Sequence, residues 1–210
     1  LIYKDMKKYF NFINEGRVVN VTNKTGNFIM LMGGPGSGKS EISKKFINVE
    51  NPIYFNVDTE RELMAKKLNL DLSNPKDNYE ILNYTYNTTD PKNRTIKLLK
   101  LLLSTSKNQL PNIIFDTVGN HVKLMTDLIN LAKASGYDTT LVYVKTDINV
   151  ALQRNMNRER ILDNELVIKY HNSVNKSFDI LFPLFDNVWL VDNNDNLDLK
   201  WAGLLHDIGK

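Results

Sequence analysis

The sequence predicts an α/β fold, in which a five-stranded, mainly parallel sheet carries helices on both faces. Three observations lead there. Short apolar runs alternate with longer amphipathic stretches from residue 27 onward. The first of those runs ends in glycines that pass straight into a helical pattern. Polar or acidic residues follow the later runs, at the strand ends where a parallel sheet binds its ligands.

Residues 1–26 read as a lead-in, with a short helix around Lys4–Ile13 followed by a turn or hairpin. Asn27–Met32 is a buried strand, and Ser37–Asn48 a helix with Ile42, Phe46 and Ile47 on one face. Pro52–Val57 is the second strand and Glu60–Leu68 the next helix. Asp71–Asn78 is polar, contains Pro75 and reads as a loop. Asp90–Ser104 is a helix with Pro91 in its first turn. Asn112–Phe115 is the third strand, and His121–Ser135 a helix closed near Gly136. Thr139–Val144 is the fourth strand and Asn149–Arg160 a strongly basic helix. Glu165–Phe182 is a helix stopped before Pro183, and Asn187–Val191 is the fifth strand.

Composition narrows the class. With 42% hydrophobic and 24% charged residues, the chain matches an ordinary globular domain. It has no cysteine, which excludes disulfides and thiolate metal sites and fits a reducing cytoplasm. No apolar run approaches the roughly 18 residues that cross a bilayer, so no membrane contact is expected. Leu1–Phe10 mixes lysines with aromatics and lacks the apolar stretch of an export signal. A net charge of +3 is below what a grip on long nucleic acid usually requires. A strand end or a small phosphorylated molecule requires less, so charge leaves the partner open.

The strongest signal is Gly33-Gly34-Pro35-Gly36-Ser37-Gly38-Lys39-Ser40, a full match to G-x-x-x-x-G-K-[ST] between a strand and a helix. Glycines let backbone N–H groups turn inward around phosphate oxygens, and the helix N-terminus adds partial positive charge. Gly34, Pro35, Gly36, Ser37, Gly38, Lys39 and Ser40 are therefore the expected site for a nucleoside triphosphate. Lys39 reaches the β- and γ-phosphates and the Ser40 hydroxyl ligates Mg²⁺. With this loop in place, residues 27–210 read as a P-loop NTPase three-layer sandwich, ATP and Mg²⁺ being its cofactors.

Asp58 follows the second strand and is placed to accept a proton from a hydroxyl aimed at the γ-phosphate. Arg61 is one helical turn away on the same face, where it can hold a phosphate or the migrating phosphoryl group. The plainer role for Asp58 is to cap the following helix, and the two roles are compatible. Asp116 closes the third strand, an arrangement that binds Mg²⁺ or orients the acceptor, and Thr117 and Asn120 follow as candidate pocket residues. Arg154 and Arg158 are spaced i, i+4 in a basic segment that also holds Arg160, so a bound anion would explain their proximity. Residues 151–163 are expected to form a lid that adds positive charge over the triphosphate.

Together these residues resemble P-loop kinases of the polynucleotide 5′-hydroxyl kinase type, and equally the zeta-toxin-like kinases. The shared features are the glycine loop, Asp58 and Arg61 at D-x-x-R spacing, and Asp116-Thr117 after an apolar strand. The resemblance spans residues 27–195. It implies Asp58 as general base, Arg61 as an acceptor-side ligand, Asp116 as a second acceptor- or metal-side carboxylate, and Arg154 or Arg158 in the lid. The expected reaction is transfer of the γ-phosphoryl group of ATP to a hydroxyl. The candidate acceptors are DNA or RNA ends, modified DNA bases as in phage-encoded kinases, and sugar nucleotides. A regulatory NTPase that phosphorylates nothing is the remaining alternative.

The C-terminal Leu204-Leu205-His206-Asp207-Ile208-Gly209-Lys210 resembles the core of an HD-type metal phosphohydrolase, for which His171 would supply the upstream histidine. A closing helix over Leu197–Ile208 is the preferred reading, and His121 and His171 are read as ordinary surface or pocket residues.

Overall fold

The computed structural model describes residues 10–11, 19–20, 25–72, 74, 76–77, 79–81, 94–105, 110–158 and 161–194. The main sheet contains β1 (Phe10–Asn11), β3 (Asn27–Met32), β5 (Ile53–Asn56), β6 (Ile113–Thr117), β7 (Asp138–Lys145) and β8 (Asn187–Asp192). Its order is β1-β8-β7-β3-β6-β5, and every pairing is parallel. The five expected strands are thus all present, and the lead-in adds a two-residue strand beside β8. Phe10 and Asn11 are therefore extended, against the helix expected over Lys4–Ile13. A two-residue ladder of β2 (Val19–Asn20) with β4 (Ile47–Asn48) takes the last residues expected in the first helix.

The helices are α1 (Lys39–Phe46), α2 (Val57–Leu68), α3 (Arg94–Thr105), α4 (Val122–Ala134), α5 (Ile148–Met156) and α6 (Asn164–Leu181). Side chains of a strand alternate between faces, and the core divides accordingly. Phe28, Met30, Met32, Ile113, Phe115, Leu141 and Tyr143 pack under α3, α4 and α6. Ile29, Leu31, Ile114, Val142, Val144 and Val191 pack with Ile42 of α1 on the other face. Both faces are covered, which is why β3 is buried along its whole length.

Element ends differ from expectation for local reasons. α2 starts at Val57 because the Asn56 side chain caps it, its Oδ1 accepting from Asp58 N at 2.7 Å. It stops at Asn69, which adopts the left-handed conformation at φ 54°. Residues 76–77 and 79–81 are helical within and beyond the segment expected as a loop. α5 ends at Met156 rather than Arg160, because buried Asn155 ties the chain beyond it. Its Oδ1 accepts from Leu162 N at 3.1 Å and its Nδ2 donates to Leu162 O at 2.7 Å. Arg160 and residues 195–210, including the Leu204–Lys210 motif, lie outside the described residues. His171 sits in the middle of α6, inside this fold. Among the described residues, no helix is long and apolar enough to cross a membrane.

Candidate active site

The functional side chains gather at the carboxyl ends of the strands. Residues 33–38 leave β3 and wrap into α1, whose N-cap Gly38 is left-handed (φ 85°) and supplies no side-chain cap. No side-chain cap competes with an anion for the Lys39 and Ser40 N–H groups, whereas Glu41 N–H already donates to Gly38 O at 3.1 Å. Among the described residues, the Ser37 hydroxyl is buried in the loop without a hydrogen-bond partner. Lys39 folds back, its Nζ donating to Gly33 O at 2.8 Å and Gly34 O at 3.4 Å.

Across from the loop stand the carboxylates. Asp116 is the penultimate residue of β6, opposite Asn56 of β5 in the parallel register. Tyr54, Asn56 and Asp116 therefore share a face. Tyr54 Oη donates to Asp116 Oδ2 at 2.9 Å, and Asn56 Nδ2 reaches the same oxygen at 3.3 Å. Burial pushes the Asp116 carboxyl above its usual range, although nearby Lys39 and the Tyr54 hydroxyl both oppose the shift. Burial lowers the Lys39 ammonium, while Asp116 and then Asp58 work to hold its proton and Arg158 adds to the lowering. Both shifts share one cause, the loss of water around each group, and the nearness of ammonium and carboxylate works against both.

Asp58 lies in the first turn of α2, not at the strand tip, and it does not cap the helix, since Asn56 does. Its Oδ1 accepts from Arg61 Nη1 at 2.7 Å. The Arg61 side chain is 6% exposed and that of Asp58 58%, so the arginine is a buried support for a carboxylate facing solvent.

The loop, these carboxylates and the segment after α5 enclose a cavity of about 490 Å³. Gly34 through Ser40 form one wall, and Asn56, Asp58, Arg61, Glu62 and Asp116 the other. Arg158, Leu162, Leu166 and Tyr170 complete the lining. The two basic residues expected to act together part company here. Arg158 lies beyond the end of α5 and lines the cavity, whereas Arg154 turns to the back of the loop. There its Nη1 donates to Asn193 O at 2.9 Å and Gly36 O at 3.5 Å. Thr117 and Asn120 do not line the cavity but Val118 does. Strand alternation explains Thr117, which points to the face opposite Asp116, its Oγ1 accepting from Gly119 N at 3.2 Å. An apolar hollow of about 590 Å³ adjoins, sharing Asn56 and lined by Tyr54, Phe55, Leu63, Met64 and Leu98.

His171, expected to be an ordinary surface or pocket residue, and Asn193, which no motif marks, stand directly behind the loop. His171 of α6 faces Pro35 O, with Nε2 at 2.8 Å, and burial holds its pKa below the usual value. Asn193, after β8, donates from Nδ2 to Ser37 O at 2.8 Å. No local pattern marks either, because their partners lie far away in sequence.

A model of the AAA domain matches residues 28–179, most of the chain. The chain belongs to the AAA domain family. Its fold is that of P-loop NTPases, as solved structures also show. A structure from the PezAT chromosomal toxin–antitoxin system of Streptococcus pneumoniae is 17% identical, with a TM-score of 0.60 over 96% of this chain and 76% of that one. An AvrRxo1-ORF1:-ORF2 structure with ATP is 15% identical, with a TM-score of 0.59 over 84% of this chain and 57% of that one. A candidate kinase from Chloroflexus aurantiacus is 14% identical, with a TM-score of 0.55 over 84% and 92%. The chain therefore spans little more than half the length of the AvrRxo1 chain. No curated protein sequence matches it.

Proposed function

We propose that this chain is an ATP-dependent kinase that transfers the γ-phosphoryl group to a hydroxyl of a nucleic-acid or nucleotide-like acceptor. The observation that carries this reading is the convergence of Lys39, Asp58 and Asp116 on one cavity floored by the phosphate loop. In phosphoryl transfer the protein supplies position and electrostatic stabilisation, and this set provides both. Loop N–H groups and the unpartnered Ser37 hydroxyl hold the phosphates. Lys39 leaves the Gly33 and Gly34 carbonyls for the β- and γ-oxygens. The attacking hydroxyl oxygen forms a bond to the γ-phosphorus as the bridge to the β-phosphate breaks, and its proton passes to Asp58. Arg61 holds Asp58 for that task, and Arg158 adds charge from the segment over the cavity, within residues 151–163.

Ser40 and Asp116 fit Mg²⁺. Both offer hard oxygen donors, and Tyr54 and Asn56 occupy Oδ2 of Asp116, leaving Oδ1 for a metal or its water. Among the described residues no three acidic or histidine side chains cluster, which suits an ion held mainly by phosphates and water. Once bound, Mg²⁺ would neutralise charge on the β- and γ-oxygens. The apolar hollow beside Asn56 has room for the body of the acceptor.

The second reading is a toxin-like kinase of a sugar nucleotide or other small molecule. The likeness to the PezAT structure, which covers nearly all of this chain, favours it. Both readings need Asp58. Asp58→Asn is expected to cut transfer by about 10²–10⁴-fold while ATP binding persists. Near-normal turnover in that variant removes Asp58 as the base.

A further inference from the structure

A phosphate loop works only if its N–H groups face inward, and contacts on its outer side can hold them there. A peptide unit is planar and trans, so its C=O and N–H point in opposite directions. A carbonyl held on the outside of the loop therefore fixes the next N–H on the inside.

The carbonyls are held in this way. Pro35 O faces His171 Nε2 at 2.8 Å, which fixes Gly36 N–H. Ser37 O accepts from Asn193 Nδ2 at 2.8 Å and Thr146 Oγ1 at 3.2 Å, which fixes Gly38 N–H. Among the described residues neither Gly36 N–H nor Gly38 N–H has a partner, and both glycines line the cavity. The glycines and their outer neighbours also fit each other sterically. A Cβ on Gly34 would lie 2.5 and 2.8 Å from Cδ2 and Cε1 of His171, and nearer still to Nε2. A Cβ on Gly38 would overlap Asn193 Nδ2. His171 and Asn193 are each only 8% exposed, so neither has open solvent to retreat into.

We propose that His171 and Asn193 are positioning residues for the triphosphate, acting from behind the loop to hold Gly36 N–H and Gly38 N–H toward the phosphates. The inference rests on the nucleotide reading of the loop. His171 acts through its Nε2–H, donated to the Pro35 carbonyl. A glutamine amide nitrogen occupies nearly the same place, so the hydrogen bond can be tested separately from the ring.

The test is ATP affinity by calorimetry, with urea stability measured alongside, for the wild type, His171→Ala, His171→Gln and Asn193→Ala. His171→Ala and Asn193→Ala should each weaken ATP about tenfold, the value of one hydrogen bond expressed as affinity. His171→Gln should bind within about threefold of wild type. Two results overturn the inference alone: variants that lose stability but bind ATP like the wild type, or His171→Gln binding as weakly as His171→Ala. If His171→Ala does not fold, the glutamine variant and Asn193→Ala still decide between these outcomes. A wild-type chain that binds no ATP overturns the nucleotide reading and the inference with it.

Discussion

Gly34→Ala is the sharpest perturbation of the site, because it adds one methyl group and nothing else. Gly34 does not adopt a positive φ, so alanine meets no backbone strain there. What it meets is the imidazole of His171, with ring carbons 2.5 and 2.8 Å from the new Cβ. Carbon atoms pack comfortably at about 3.5–4.0 Å, so the ring has to move by roughly 1 Å. Overpacking of this kind costs about 1–3 kcal/mol. The displaced ring also gives up its bond to Pro35 O, at about 0.5–1.5 kcal/mol. The expected total is about 1.5–4.5 kcal/mol, read as a lower urea midpoint with unchanged slope. In a His171→Ala background the same methyl finds room, so a double-mutant cycle should return a coupling of about 1–3 kcal/mol. Additivity to within about 0.5 kcal/mol would refute the contact on which the argument rests.

Two other outcomes follow from the carboxylate side. Tyr54→Phe removes the hydroxyl that holds Asp116 Oδ2 but leaves Asn56, so half-saturation by Mg²⁺ in a transfer assay should rise about tenfold, with unchanged activity at saturating metal. The pH profile of kcat/KM reports groups of the free enzyme, and it should be narrower than free side chains would give. Burial raises Asp116 from 3.8, so the acid limb begins above the ordinary carboxylate range as the required carboxylate gains its proton. Burial lowers Lys39 from 10.5, so the alkaline limb begins earlier as the ammonium loses its proton. An acid limb at the ordinary carboxylate position would contradict the placement of Asp116.

Much of this architecture is legible in the residues because it depends on local pattern. Asn27–Met32 is a strand over the expected span, and Gly33–Ser40 has the expected strand–loop–helix context. Asp116 and Asp58 follow from a rule of place, since parallel sheets take ligands at their strand ends, and both side chains line the cavity. Details set by one side chain were less legible. Asn56 starts α2 early and so moves Asp58 from a strand tip into a helix, and Asn155 ends α5 early and so separates Arg158 from Arg154. The support behind the loop was not legible at all. His171 and Pro35 are 136 residues apart, and Asn193 and Ser37 are 156 apart. Such pairs form only because β3, β7 and β8 lie side by side with α6 across them, and no periodicity along the chain encodes that meeting.

One experiment decides whether this cavity moves a γ-phosphoryl group from ATP to a hydroxyl. The direct test presents γ-labelled ATP and Mg²⁺ to the protein with a panel of acceptors: 5′-hydroxyl DNA and RNA, hydroxymethylated-base DNA, nucleosides and sugar nucleotides. Label is expected on at least one of these hydroxyls, lost in Asp58→Asn. Label found only as inorganic phosphate, equally in wild type and Asp58→Asn, would contradict that transfer.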